Sequence, residues 1–428
     1  MSQRAGREAL EGIVREEAGL VLAALIATFR DFDLAEDAFQ DAVATALERW
    51  PRDGVPRRPA AWLTVAARRR AVDRLRHQAM RAGKAEALRE SEAGRRAGVE
   101  QVAAEDPVPD ERLSLLFTCC HPALQPEARV ALTLRTLGGL STEGVARAFL
   151  LPVPTLAKRL ERAKRKIRDA RIPYRVPRAS EWSERLDSVL AVLYLIFNEG
   201  YSATDADLAV RRALCEEAIR LARVLAALLP REGEVHGLLA LMLLHDARRE
   251  ARFDADGLLV PLDEQDRLSW RRDEIRDGVT ALRSAAACPG RRGPYQVQAA
   301  IAAAHVTAPS GAETPWATLA SLYAELEALA PTPVVRVNRA VAEGRARGPE
   351  AGLALLATLE AGAAGADAAR RLAGYQPYHA ARADLLGRAG RGAEAERAYL
   401  RALALCRGEP ERRFLAGRLA ALRQIAAT

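Results

Sequence analysis

Alternating runs of β-branched and polar residues are almost missing from this 428-residue chain, and with them the sheet-based fold classes. Ala, Leu, Arg and Glu recur instead with a period of about 3.6 residues nearly throughout, so an all-α fold is expected. Cysteine is scarce: five residues at irregular spacing make no disulfide framework and point to reduced thiols in a cytoplasmic protein. The opening residues, MSQRAGREALEG, lack the apolar core of a secretory leader. The longest apolar runs, such as GLLALMLL at 237–244, fall far short of a bilayer span, so no membrane partner is expected.

Recognisable chemistry is also scarce. TCCHPAL at 118–124 sets Cys119, Cys120 and His121 in a row, as a metal site or a reactive thiol would. A zinc site needs two more soft ligands at suitable spacing, and only the distant His77 offers itself. A bond between adjacent cysteines strains the backbone. Leu113, Leu116, Phe117 and Cys120 recur at helical spacing, so the pair reads as core at the end of a helix that Pro122 stops. DADG at 254–257 lacks the spaced acidic ligands and closing Glu of a calcium loop. No glycine-rich phosphate loop follows a strand, and no nucleophile–base pair stands out. No catalytic residue, metal or cofactor is therefore expected.

What the chain does have is length, amphipathic helices and unevenly placed charge. At 428 residues it should form two to four domains. Residues 1–178 hold 32 Lys and Arg against 24 Asp and Glu, whereas 179–428 hold 32 of each, so the whole excess of +8 sits in the front of the chain. That asymmetry suits a polyanion-binding front joined to a neutral back. Residues 8–80 read as three or four helices, 81–109 as a polar linker, and 110–172 as a second helical unit closed by RIPYRVPRAS. From 181 to 428 come many amphipathic helices separated by Pro and Gly. In ARADLLGRAGRGAEAERAYLRALAL (381–405), small Ala383, Ala395 and Ala402 surround Leu386 and Tyr399, a spacing that resembles a tetratricopeptide helix pair.

Residues 141–170, STEGVARAFLLPVPTLAKRLERAKRKIRDA, carry the sharpest local signal. Ser141 is a good N-cap, a short helix runs through Phe149, and LPVP turns into a second helix with Pro154 at its first position. Leu156, Leu160, Ala163 and Ile167 form one buried stripe there, and Lys158, Arg159, Arg162, Arg165 and Lys166 fall off it. Residues 153–178 hold ten basic residues against two acidic ones, so the pair suits a helix-turn-helix with a recognition helix for the major groove. Residues 49–81 hold another ten basic residues against two acidic. There AWLTVAARRRAVDRLR sets Trp62 beside Arg68, Arg69, Arg70, Arg74 and Arg76, a combination that can stack on and attract a melted strand.

DLAEDAFQDAVATALERW (33–50), AAWLTVAARRRAVDRLR (60–76) and the helix-turn-helix together resemble regions two and four of bacterial extracytoplasmic-function sigma factors, over roughly residues 8–172. LFTCCHPAL, AKRLERAKRKIRDARIPYRVP, LYLIFNEGYSAT, LALMLLHDARR and GPYQVQAAIAAAH resemble the subgroup with a long C-terminal tetratricopeptide-like extension. The resemblance implies core RNA polymerase and promoter DNA as partners. It assigns Asp37, Gln40 and Asp41 to docking on the polymerase β′ clamp helices, with Trp50 closing that helix. It gives Arg57, Arg58, Trp62, Arg68, Arg69, Arg70, Arg74 and Arg76 to the −10 element. Thr155, Lys158, Arg159, Arg162, Arg165 and Lys166 go to the −35 element. Arg69 stands where many members have Asn, and Ala157 where many have Lys or Arg, so the promoter sequence is not legible.

The neutral extension is expected to control activity. Asn198, Glu199, Tyr201, His245, Asp246, Arg248, Gln265, Asp266, Arg267 and Trp270 are candidates to line a surface for a protein or small-molecule partner. The more ordinary reading of FNEGYS (197–202) is a helix stop with Gly200 at the C-cap. A conventional helix-turn-helix regulator with a repeat-based sensor tail is the alternative. It needs one DNA-reading domain and leaves residues 33–76 unexplained.

Overall fold

The computed structural model describes residues 3–81, 109–149, 151–202, 208–254, 259–361, 372–406 and 408–427. Among them are eighteen α-helices and no named strand; one isolated antiparallel bridge joins Phe253 and Leu259. The expected linker falls outside the described residues except at its two ends, and DADG does so beyond Asp254. The chain divides into two compact units, Met1–Leu228 and Leu229–Thr428.

The first unit begins with α1 (Gln3–Phe29), α2 (Phe32–Asp53) and α3 (Pro59–Arg81). Asp31 caps α2, its carboxylate accepting from the Asp33 and Leu34 amides at 2.9 and 3.0 Å, and Gly54 at φ 82° ends it. Leu34, Ala35, Ala38, Phe39, Ala42, Ala46 and Trp50 form its buried face, and α3 answers with Ala60, Leu63, Ala67 and Ala71. The many alanines let the two helices approach closely while Phe39, Leu63 and Trp50 fill the remaining space.

Next come α4 (Pro109–Cys119), α5 (Pro126–Thr136), α6 (Thr142–Ala148) and α7 (Val153–Asp169). Ser141 caps α6 by accepting from the Gly144 amide at 3.0 Å, and Leu156, Leu160, Ala163 and Ile167 are the buried residues of α7, as their spacing predicts. Pro152, not Pro154, sits at the N-cap boundary, so Pro154 is the second helical residue; either place spares a helix-internal hydrogen bond. Truncating Leu156 to Ala would cost about 3 kcal/mol. Gly19 of α1 lies against the turn after α5: a Cβ there would stand 2.9 Å from the Leu137 carbonyl oxygen.

Two further helices, α8 (Trp182–Ser202) and α9 (Leu208–Leu228), belong to this same unit. The Arg185 guanidinium donates to the Phe117 carbonyl at 2.6 Å, Ser188 donates to the Cys120 carbonyl at 2.5 Å, and Arg129 donates to Ser188 at 2.8 Å. Arg220 on α9 donates to the Leu137 carbonyl at 2.8 Å. The compact unit thus runs to residue 228, beyond the 181 at which the neutral extension begins in the sequence. Gly200 does not end α8, which continues to Ser202 with Gly200 buried; burial of Ile196, Phe197 and Gly200 on one face carries the helix past it.

The second unit is made of α10 (Gly233–Asp246), α11 (Arg272–Ala287), α12 (Pro294–Thr307), α13 (Trp316–Leu329), α14 (Pro333–Arg347), α15 (Pro349–Ala361), α16 (Gln376–Arg388), α17 (Gly392–Leu405) and α18 (Glu409–Ala427). Successive helices pack on one another. α10 is apolar on every side and buried by both α11 and α12. Ala383, Leu386, Ala395, Tyr399 and Ala402 lie in one apolar cluster with Leu415 and Leu419.

Candidate nucleic-acid interface

The residues of α7 expected to read the −35 element lie off its buried stripe. Thr155, Arg159, Arg162 and Lys166 line one side of an open depression of about 510 Å³, with Leu124, Gln125, Glu127 and Ala128 at the start of α5 on the other. Lys158 is exposed beside them, and Arg165 is exposed but paired with Glu161 one turn back at 2.5 Å. With the opposite face of α7 buried, Lys158, Arg162, Arg165 and Lys166 point outward on a rigid rod, a disposition suited to phosphate contacts along a groove wall.

The basic set of α3 is more divided. Arg57 and Arg58 are exposed on the loop before it, Arg69 and Arg70 are exposed on the helix, and Arg76 is half-buried near Asp73 at 3.8 Å. Trp62 is half-buried and meets the buried Trp50 edge-on, with ring centroids 5.5 Å apart. Arg68 departs from the expected DNA face: it is 9% exposed and donates to the Thr28 hydroxyl at 3.3 Å. Its neighbours Ala67 and Ala71 leave room for a long side chain to lie inward, and Glu111 supplies a compensating charge. Burial lowers the Arg68 pKa, against the pull of Glu111; burial raises that of Glu111, against the pull of Arg68.

Arg74 also turns away from the DNA set. It pairs with Asp37 and, through Nε and Nη2 at 3.2 and 2.8 Å, grips Asp41. Both carboxylates expected to dock on the polymerase are therefore engaged by a residue expected on the −10 surface. Gln40 is exposed between them.

A further charge cluster has no signature in the sequence. Lys164 lies on the inward flank of α7 and reaches α2, with Nζ 2.8 Å from Asp33 and 2.9 Å from Glu36. Arg135 of α5 stands 3.7 Å from the same Glu36. Burial alone would lower the Lys164 pKa, but Glu36 and Asp33 outweigh it and raise it. Tyr174, after α7, places its hydroxyl 2.9 Å from the Ala23 carbonyl of α1, and Arg30 donates to the Tyr174 carbonyl at 3.0 Å. Helix α7 is thus held against α2, the helix that bears Asp37, Gln40 and Asp41. Lys164 is four residues after Leu160 and three before Ile167, which places it on the stripe's edge; only its acidic partners, far away in sequence, mark it as different from Lys166.

Cys119 and Cys120 are buried on α4 and the turn after it, with sulfurs 3.3 and 3.4 Å from the hydroxyls of Thr136 and Thr133. Burial pushes both thiols up, Cys120 to about 12 and Cys119 beyond the usual range, so both are held protonated. His121 is pushed down to about 4 by burial and by Arg185, and its Nδ1 accepts from the Ala123 amide at 3.1 Å. The Cys-Cys-His run is structural.

The tail candidates do not form one set. Asn198, Glu199 and Tyr201 sit on α8 in the first unit, Tyr201 stacked on Phe197. In the second unit, Asp246 is a buried anchor for Arg249 and Arg271, Gln265 is buried and donates to the Val260 carbonyl at 3.0 Å, and Asp266 caps a short 3-10 turn through the Leu268 amide at 2.9 Å. Arg267 lies over Trp270 at 4.5 Å and donates to the His305 and Ala308 carbonyls. His245 and Arg248 do share a cavity.

A model of sigma-70 region 2 matches residues 13–81, and one of sigma-70 region 4 matches residues 114–167. A family of unknown function, DUF6596, matches residues 185–286. An uncharacterized protein of Rhizobium meliloti (strain 1021) is 43% identical over 401 residues, which are 92% of this chain and 91% of that protein. No solved structure matches the chain.

Proposed function

Because the chain belongs to the sigma-70 family and carries both its region 2 and its region 4, we propose that it is an alternative sigma factor of the extracytoplasmic-function type. The family is one of transcription factors rather than enzymes, and its members bring core RNA polymerase to promoter DNA. In this reading Asp37, Gln40 and Asp41 meet the polymerase. Arg57, Arg58, Trp62, Arg69, Arg70 and Arg76 meet the −10 element, and the outer face of α7 meets the −35 element. The observation that carries the reading is the presence of two separate basic surfaces, on α3 and on α7, within one charge-asymmetric unit. A duplex-binding regulator would need only the second.

Control by the C-terminal helices, tetratricopeptide-like in type, is the finer part of the proposal. Arg185, Ser188 and Arg220 hold region 4 by its carbonyl groups, and region 4 in turn holds α2 through Lys164. Whatever repositions α8 and α9 therefore has a mechanical path to both DNA-reading surfaces. Run-off transcription with core RNA polymerase on a genomic template pool tests the assignment. The full chain should start promoter-specific transcripts. Binding of duplex promoter DNA by the full chain alone, with no transcript from any template, would transfer the assignment to the conventional regulator. A chain ending at residue 228 keeps the hydrogen bonds to region 4, whereas one ending at 178 strips them, so only the former should be soluble and able to report whether residues 229–428 activate or inhibit.

A further inference from the structure

We propose that the second unit binds a small organic carboxylate with an apolar body, in the cavity bounded by α10, α12, α13 and α14. The cavity measures about 300 Å³, the size of a small-molecule site. Its polar lining is His245 from the end of α10, Arg248 two residues beyond that helix, Gln298 and His305 from α12, Tyr323 from α13 and Asn338 from α14. Leu241, Ile301, Leu326 and Val335 supply an apolar wall. None of the described residues that line it is acidic.

The polar groups are set in an order that favours an anion. Arg248 Nη2 lies 3.1 Å from His245 Nδ1, and a guanidinium can only donate. His245 Nδ1 is therefore an acceptor, which leaves the ring neutral with its proton on Nε2. Burial, and then Arg248, Arg252 and His305, push His245 down to about 3; burial, and then Arg248 and Arg267, push His305 down to about 4, against the pull of Asp263. Burial is the leading cause of both shifts; the Arg248 charge acts in the same direction, and it is that charge which would stabilise a carboxylate. Arg248, already oriented by His245, can fork onto carboxylate oxygens, and the amides of Gln298 and Asn338 can add donors. A fully hydrated phosphate is a poorer match, because one guanidinium faces a largely aliphatic wall. The site stands whether or not the chain is a sigma factor.

Isothermal titration of the full chain with butyrate, benzoate and inorganic phosphate tests the assignment. At least one of the two carboxylates should bind saturably at one site per chain, and phosphate at least about tenfold more weakly. Arg248→Gln should weaken carboxylate binding about tenfold, the scale of a charge-assisted hydrogen bond. Val334 lines the cavity mouth and is exposed, so Val334→Trp should block entry while leaving thermal unfolding unchanged. Failure of both carboxylates to bind at millimolar concentration, phosphate binding as tightly as either, or indifference to both substitutions overturns the proposal.

Discussion

The helices α3 and α7 carry similar loads of arginine and lysine but dispose of them differently. α7 rests on two short helices, α5 and α6, and a four-residue stripe satisfies that packing, so all of its cations except Lys164 remain outside. α3 is packed between α1 and α2, which cover two of its sides. With less free circumference, and with alanines at the covered positions, Arg68 lies inside and Arg74 is drawn onto α2. A run of arginines states how much charge a helix has; the number of its neighbours decides how much of that charge can meet a ligand.

The comparison would be broken most visibly at α7. Lys158→Ala, Arg159→Ala and Arg162→Ala together should lower promoter-DNA affinity on the order of a hundredfold and reduce the salt dependence by about one unit for each phosphate no longer neutralised. Urea unfolding should shift by less than about 0.5 kcal/mol per substitution, since none touches the buried stripe. Affinity that survives the triple change would mean that α7 is a solvated basic helix and no reader.

Arg68→Ala should do the reverse, costing about 3 kcal/mol in stability because it leaves the Glu111 carboxylate part-buried without its compensating charge. The folded pKa of Glu111 already lies above its ordinary 4.5, and loss of Arg68 raises it further. A carboxyl with a raised folded pKa makes the protein less stable as pH rises through the window between its unfolded and folded values. The Arg68→Ala defect should therefore be largest near neutrality and shrink toward pH 4.5, as urea titrations at several pH values will report. Arg69→Ala, one residue on, should leave stability unchanged at every pH.

These contrasts mark how far the sequence can be read. The stripe Leu156, Leu160, Ala163, Ile167, the Ser141 cap and the buried Cys120 follow from spacing within one helix, so they were legible. Inward positions of Arg68 and Lys164 depend on Glu111, Asp33 and Glu36, partners 43 to 131 residues away, and no local pattern carries them. Gly200 failed as a helix stop for the same reason: burial of the α8 face outweighs the ~1 kcal/mol local cost of glycine. The ten tail candidates share no spacing in the sequence that ties them to one face. Three lie on α8 in the first unit, and packing turns Asp246 and Gln265 inward as structural groups, leaving His245 and Arg248 together.

A smaller effect is expected where α7 itself turns inward. Lys164→Ala should cost about 2 kcal/mol, because Glu36 would keep only Arg135 at 3.7 Å. Lys164 has a folded pKa raised above its ordinary 10.5, so its contribution is fully present below that value and is lost only as pH climbs through the raised one. Neutral and mildly alkaline buffers should leave it intact. If the two regions must separate to reach two promoter elements, this variant should start more transcripts per molecule of folded protein than the parent, despite its lower unfolding midpoint.

Arg74→Ala has the smallest expected effect on stability and discriminates best between the two helices. Asp37 is well exposed and Arg74 more than a third exposed, so losing the fork should cost about 0.5 kcal/mol. A residue of the DNA face would lower promoter affinity and remove about one unit of salt dependence when truncated, as Arg70→Ala should. Arg74 instead occupies Asp37 and Asp41, the carboxylates assigned to the polymerase. Its removal should leave the salt dependence of DNA binding unchanged and raise affinity for core polymerase a few-fold, by freeing two acceptors from an internal competitor. Titration of labelled core enzyme with the parent, Arg70→Ala and Arg74→Ala chains separates the two roles. A loss of salt dependence in Arg74→Ala equal to that in Arg70→Ala would return Arg74 to the DNA surface and make α3 as outward-facing as α7.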